Sequence, residues 1–181
     1  ANGPTFAREG RCAPITTTIA GWSISGAAAR TRSAADAVVA AREFRELVFE
    51  GNTNAFRLVS GTADGYPDVI VESFDGHLLV QWQTEAVAQT APDLLGKLKR
   101  LCRSQTVTEQ LVTKQKRTQP VASARFTVCE YGLNFLVAFG EGLSPGIFLD
   151  QRENRRRLAR MKLAGKTVLN CFAYTCAFSV A

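Results

Sequence analysis

Thr167-Val168-Leu169-Asn170-Cys171-Phe172-Ala173-Tyr174-Thr175-Cys176-Ala177-Phe178 is an apolar run, a turn and the opening of a helix. Val168, Leu169 and Phe172 fit a buried strand, set off from what precedes by Ala164-Gly165. Residues 176–181 read as the first turn of the helix that follows. An α/β nucleotide-binding sheet begins in this way, with the ligand outside the carboxyl end of the first strand and against the helix N-terminus. Ala173, Cys176 and Ala177 are small enough for a ligand to approach the backbone. The usual glycines are absent, so the pattern alone also admits an ordinary βα unit.

Just upstream, Pro145-Gly146-Ile147-Phe148-Leu149-Asp150-Gln151-Arg152-Glu153 leads an apolar, turn-bearing segment into a helix. Asp150 followed by Glu153 predicts a capping box, in which each side chain takes a free N–H near the helix start. The helix is expected to reach about Lys162. It is crowded with Arg152, Arg155, Arg156, Arg157 and Arg160, which read either as a solvated face or as a track for phosphates.

Further out, residues 34–138 predict a compact α+β module. Ala34, Ala35, Val38, Val39, Phe44, Leu47 and Val48 recur at helical spacing, and Gly51-Asn52 ends the run. A strand at 56–59 precedes the turn-rich Gly61-Thr62-Ala63-Asp64-Gly65-Tyr66-Pro67. Two apolar runs, 68–74 and 77–82, flank Asp75-Gly76, a strong type I′ hairpin signal because both turn positions need φ > 0. Residues 86–102 read as one helix. Residues 103–120 are polar and carry Lys114, Lys116 and Arg117. A second hairpin, 125–129 with 133–137, turns at Tyr131-Gly132. Residues 1–33 lack periodicity and read as an atypical N-terminus.

The chain has 181 residues, a hydrophobic fraction of 46% and a formal charge of +6. That charge suits a polyanionic partner without specifying one. Five cysteines without a C-x-x-C pair, beside the single His77, make too thin a donor set for zinc, so no metal is expected. Unpaired cysteines used as small core residues point to a reducing compartment, the cytoplasm. No apolar run is long enough to span a bilayer.

These stretches together resemble the bacterial class I SAM-dependent 23S ribosomal RNA methyltransferases, the group that includes the cytosine-5 large-subunit enzymes. The resemblance covers about 53–181. It is carried by Asn54-Ala55-Phe56-Arg57-Leu58-Val59 with Asp64-Gly65-Tyr66-Pro67, by Cys129-Glu130-Tyr131-Gly132-Leu133-Asn134-Phe135, by Gly146 to Arg156, and by Val168 to Ala181. It implies an α/β chain: a central EEHEH-type α+β module over 34–138, then from 139 the start of a Rossmann-like methyltransferase domain. It implies S-adenosylmethionine as cofactor and large-subunit ribosomal RNA as partner. Carried over to this sequence, the cofactor contacts are Phe148, Asp150, Gln151, Arg152, Asn170, Phe172, Tyr174 and Thr175. Phe and Tyr rings would pack on the apolar parts of the cofactor, Asn170 and Thr175 would bond its methionine end, and Asp150 would attract its ammonium or sulfonium. Lys114, Lys116, Arg117, Arg155 and Arg156 are the expected RNA contacts. Cys176-Ala177 replace glycines found in many members. The resemblance places the catalytic loop and the ribose-binding acid past Ala181, so no catalytic residue is named and the chain by itself is expected to be inactive. A non-catalytic RNA-binding module is the alternative.

Overall fold

A computed structural model describes residues 34–49, 52–90, 92–113, 118, 124–141 and 144–181. The atypical N-terminus expected over 1–33 lies outside them, as do Lys114, Lys116 and Arg117.

Helix α1 spans Ala34–Val48. Strands β1 (Ala55–Ser60), β2 (Val69–Phe74) and β3 (His77–Trp82) then form an antiparallel meander, with a 3-10 turn at Gly61–Asp64 between the first two. The β2–β3 turn is as its sequence dictates: Asp75 has φ 51° and Gly76 φ 80°, the positive pair that matches strand twist. Helices α2 (Glu85–Thr90) and α3 (Pro92–Leu101) cross over to β4 (Thr106–Leu111), which pairs parallel with β3. The sheet order is β1-β2-β3-β4, and β5 (Ala124–Glu130) with β6 (Leu133–Phe139) make a separate antiparallel hairpin.

Side-chain alternation assigns the two faces of the sheet. Leu78, Val80 and Trp82 of β3 join Val38 of α1 and Leu94 and Leu98 of α3 in one buried cluster. Leu79, between them, points the other way into a second cluster with Ala55, Phe74, Val128, Phe135, Val137 and Phe139. In β1 the register slips between Arg57 and Val59, so consecutive Leu58 and Val59 both join the helix-side cluster, as a β-bulge permits. Ile147 and Leu149 belong to the hairpin-side cluster, which therefore crosses the boundary expected at 138/139.

Four expectations change. The single helix over 86–102 is two, because Pro92 lacks an N–H to continue a helix but suits the first turn of a new one. The polar stretch 103–120 contains β4, whose buried face is itself polar, Thr108 and Gln110. On that face Gln81 donates to Gln110 at 3.1 Å and Gln110 to Thr118 O at 2.8 Å, while Val107 and Leu111 pack against the helix-side cluster. Residues 167–172 form no strand: Val168, Leu169 and Phe172 are 55, 85 and 103% exposed. A parallel strand needs a neighbour for its ladder, and among the described residues none lies beside it. The capping box is absent as well. Leu149–Gln151 is a 3-10 turn, α4 runs Arg152–Ala159, and Gln151 stands at its N-cap without a side-chain capping bond. Glu153 accepts instead from the Tyr131 hydroxyl. The last helix, α5, is the short Ala177–Val180.

Candidate cofactor-binding site

Residues 144–148 form a strap between the β5–β6 hairpin and α4. A chain segment without regular structure must place its carbonyls somewhere, and these have donors from several directions. The Tyr174 hydroxyl donates to Ser144 O at 3.3 Å, the Ala138 N–H to Pro145 O at 2.9 Å, and the Thr175 hydroxyl to Gly146 O. Phe148 O accepts from the Gln151 N–H at 3.2 Å and from Arg155 Nη2 at 2.9 Å. Gly146 sits at φ 108°, a backbone conformation that L side chains rarely adopt, so the strap favours glycine at that point. Ile147 and Leu149 anchor the strap in the core while Phe148 between them stays half exposed.

The Phe148 and Tyr174 rings meet at 5.4 Å between centroids, tilted by 47°. Tyr174 is itself 56% exposed, so the pair forms a solvent-facing aromatic ledge. Asp150 is exposed beside it in sequence, and Gln151 donates to Asp150 at 3.2 Å while accepting from Asn154 at 2.9 Å. Asn170 donates to Ser179 at 2.8 Å and lines a cavity of about 870 Å³ with Leu158, Leu163 and Phe178. Phe172 is wholly exposed, with φ 56°. The structure thus joins Phe148, Tyr174 and Thr175 around the strap, and Asp150 with Gln151; Asn170 and Phe172 stand apart from that contact network.

Arg152 and Arg155 are of a different kind. Arg155 is 2% exposed and places Nε and Nη2 on the two oxygens of Glu130, 2.7 Å each. Arg152 is 4% exposed, bonds Ala55 O, lies 3.4 Å from Glu130 Oε2 and stacks 4.3 Å over the Phe49 ring. Burial pulls the Arg152 guanidinium below its ordinary pKa, and the Glu130 charge opposes that shift. Both arginines therefore have internal tasks. The expected RNA contact Arg156 stacks 4.3 Å over Tyr131, and Arg157 on α4 and Arg160 just past its end are exposed. Arg156 and Arg160 line a second cavity of about 500 Å³ with Asn52, Tyr131 and Leu133. Sequence reasoning assigned no role to Glu130, Tyr131 or Ser144. The one signal for Glu130 was an acid placed at a strand end where alternation turns it inward.

Exposed aromatic rings on a braced strap, with a carboxylate and side-chain amides at the next turn, are groups that suit a cofactor with an aromatic base and a zwitterionic tail. The chain that carries these groups is of mixed α/β build. Residues 67–181 match the S-adenosylmethionine-dependent methyltransferase family, and the chain belongs to it. It is 34% identical over 157 residues to YwbD of Bacillus subtilis, assigned as a ribosomal RNA large subunit methyltransferase, covering 78% of this chain and 38% of that protein. It is 31% identical over 160 residues to a ribosomal RNA large subunit methyltransferase of Deinococcus radiodurans, covering 80% and 39%. Among solved structures, SMU.776, assigned as a methyltransferase and complexed with SAH, superposes with a TM-score of 0.70 at 27% identity over 80% of this chain and 39% of that one. The chain spans 38 to 39% of the length of these relatives. Among the described residues no helix is long and apolar enough to cross a membrane, and no group of three or more His, Cys, Asp or Glu could hold a metal ion.

Proposed function

We propose that this chain supplies the cofactor shelf of a SAM-dependent methyltransferase that modifies large-subunit ribosomal RNA. The observation that carries the reading is the half-exposed Phe148–Tyr174 pair, held on a strap whose carbonyls are bound by Tyr174, Ala138, Thr175 and Arg155. It lies within the residues that match the family. SAM, when bound, supplies an electrophilic methyl group on its sulfonium. Phe148 and Tyr174 offer it an apolar face and keep water from one side. Asp150 is exposed and free to face a cation, as the cofactor's ammonium is. Asn170 and Thr175 carry the polar groups for its methionine end, with Gln151 orienting Asp150, and Phe172 extends the aromatic surface.

RNA is the substrate class by analogy with the relatives above. Arg156 and Arg157 on α4 and Arg160 at its end, with Lys114, Lys116 and Arg117, are the cations assigned to its phosphates. Arg155 serves the shelf and not the RNA, since Glu130 already takes its guanidinium. Cytosine C5 is the proposed target; that carbon needs a thiolate to add to the ring before it attacks a methyl group. The catalytic group is placed outside the residues described.

The test is methyl transfer from tritiated SAM to undermodified large-subunit RNA, using the protein expressed from its whole reading frame. Label in one RNA position, reduced at subsaturating SAM in a Tyr174→Ala variant, supports the reading. SAM binding without transfer to any RNA points to another substrate. RNA binding without SAM binding returns the chain to an RNA-binding module.

A further inference from the structure

Of the strap carbonyls, Phe148 O is the one held by a charged side chain, and that side chain is itself clamped by an acid from the β5–β6 hairpin. We propose that Glu130 and Arg155 are positioning residues for the cofactor. Glu130 fixes the Arg155 fork, and the fork fixes the main chain at Phe148 and with it the aromatic ledge. The inference rests on the SAM reading above.

The geometry leaves the guanidinium little choice. Two parallel bonds of 2.7 Å to one carboxylate set the plane of the fork. Once that plane is set, Nη2 also reaches Phe148 O at 2.9 Å. Glu130 is 2% exposed and is the last residue of β5, before the Tyr131-Gly132 turn with φ 50° and 85°, so its own backbone is held by the hairpin register. Arg152 approaches the same carboxylate, which places two guanidinium groups against one acid in a buried cluster. Its Nε has no hydrogen-bond partner. A cluster with an excess of buried cation depends on its one anion more than a balanced pair does. The hairpin is thereby coupled to the ledge by charge as well as by packing.

A merely structural ion pair would also cost stability when broken, so the test must separate stability from positioning. Arg155→Lys keeps the charge and one bond to Glu130, but an ammonium has no planar fork to hold the carboxylate and Phe148 O together. Arg45→Lys is the matched control: Arg45 forks onto Asp64 with bonds of 2.7 and 2.6 Å, in a contact between α1 and the Gly61–Asp64 turn. SAM affinity is measured by calorimetry on the protein from its whole reading frame, at a temperature where every variant remains folded. Arg155→Lys is expected to raise the SAM Kd about tenfold, and Arg45→Lys to lower the melting temperature without moving Kd. Glu130→Asp, which keeps every charge but retracts the carboxylate by one methylene, is expected to shift Kd in the same direction and carries the test if Arg155→Lys does not fold. An unchanged Kd in Arg155→Lys, or an equal shift in Arg45→Lys, overturns the inference while wild-type binding upholds the SAM reading. Wild-type protein that does not bind SAM overturns the reading itself, and the inference with it.

Discussion

The Tyr174 ring packs on that of Phe148, 5.4 Å between centroids, while the Tyr174 hydroxyl bonds Ser144 O on the same strap. One side chain therefore both builds the ledge and braces its support. Tyr174 is at φ 51°, between Phe172 at 56° and Cys176 at 60°, a run of left-handed non-glycine residues of the kind that clusters at ligand sites.

Removing the ring should weaken cofactor binding. Tyr174→Ala is expected to lose about 1 kcal/mol, roughly fivefold in SAM Kd, the usual worth of one aromatic contact. Tyr174→Phe keeps the ring and should lose less. Calorimetry on the protein from its whole reading frame decides; equal losses in the two variants would assign the effect to the hydroxyl.

Arg45 and Asp64 tie α1 to the sheet. Both side chains are nearly buried, and Asp64 also accepts the Ser60 N–H at 2.7 Å. Asp64→Ala strands a guanidinium and a main-chain donor, so about 3 kcal/mol of stability should be lost. Urea unfolding measures it. A loss below that of an exposed pair, such as Arg42–Glu46, would show the contact to be dispensable.

Two glycines lie at different depths of the positive-φ region. Gly132 has φ 85° and Gly146 φ 108°, the latter farther from the left-handed well near about +57° that an L residue can occupy. Gly132→Ala should cost about 1 kcal/mol, the ordinary penalty for a left-handed turn. Gly146→Ala should cost about twice that and loosen the strap. Thermal unfolding of both variants tests the order, which a reversal would refute.

Tyr131 predicts an alkaline limit. Burial pushes its hydroxyl above the ordinary value, the bond to Glu153 and that carboxylate's charge add to the rise, and Arg156 and Arg152 pull the other way. The folded pKa then exceeds the unfolded one of about 10. The stability it contributes is present in full below that pH and is lost as pH rises through the folded value. Tyr131→Phe should accordingly be less stable than wild type near neutrality, with the gap closing above about pH 10. Burial also raises Tyr66, so the difference between the two proteins, and not the wild-type curve alone, is what counts. A gap that widens with pH would contradict the assignment.

Much of this molecule was legible from local pattern. Asp75-Gly76 dictates its hairpin because few dipeptides tolerate two positive φ angles, Gly132 marks the second turn between two apolar runs, and α1 follows from the spacing of its apolar residues. The order of the stretches around Gly146 to Arg156 and Val168 to Ala181 pointed to the methyltransferase family, to which the chain belongs. What local pattern cannot convey is partnership. Strand β4 turns a polar face inward at Thr108 and Gln110, and the Gln81 and Thr118 bonds satisfy the Gln110 amide there. The run from Val168 to Phe172 has strand composition but no neighbour among the described residues to complete a ladder, so it stays exposed. Asp150 and Glu153 have capping-box spacing, yet a 3-10 turn rotates Asp150 off the helix start and Tyr131 takes Glu153. In the sequence Arg152 reads as a cofactor contact and Arg155 as an RNA contact, both on a basic helix. Tertiary structure turned them inward, because Glu130, distant in sequence, offers the one carboxylate near enough to make a buried guanidinium tolerable.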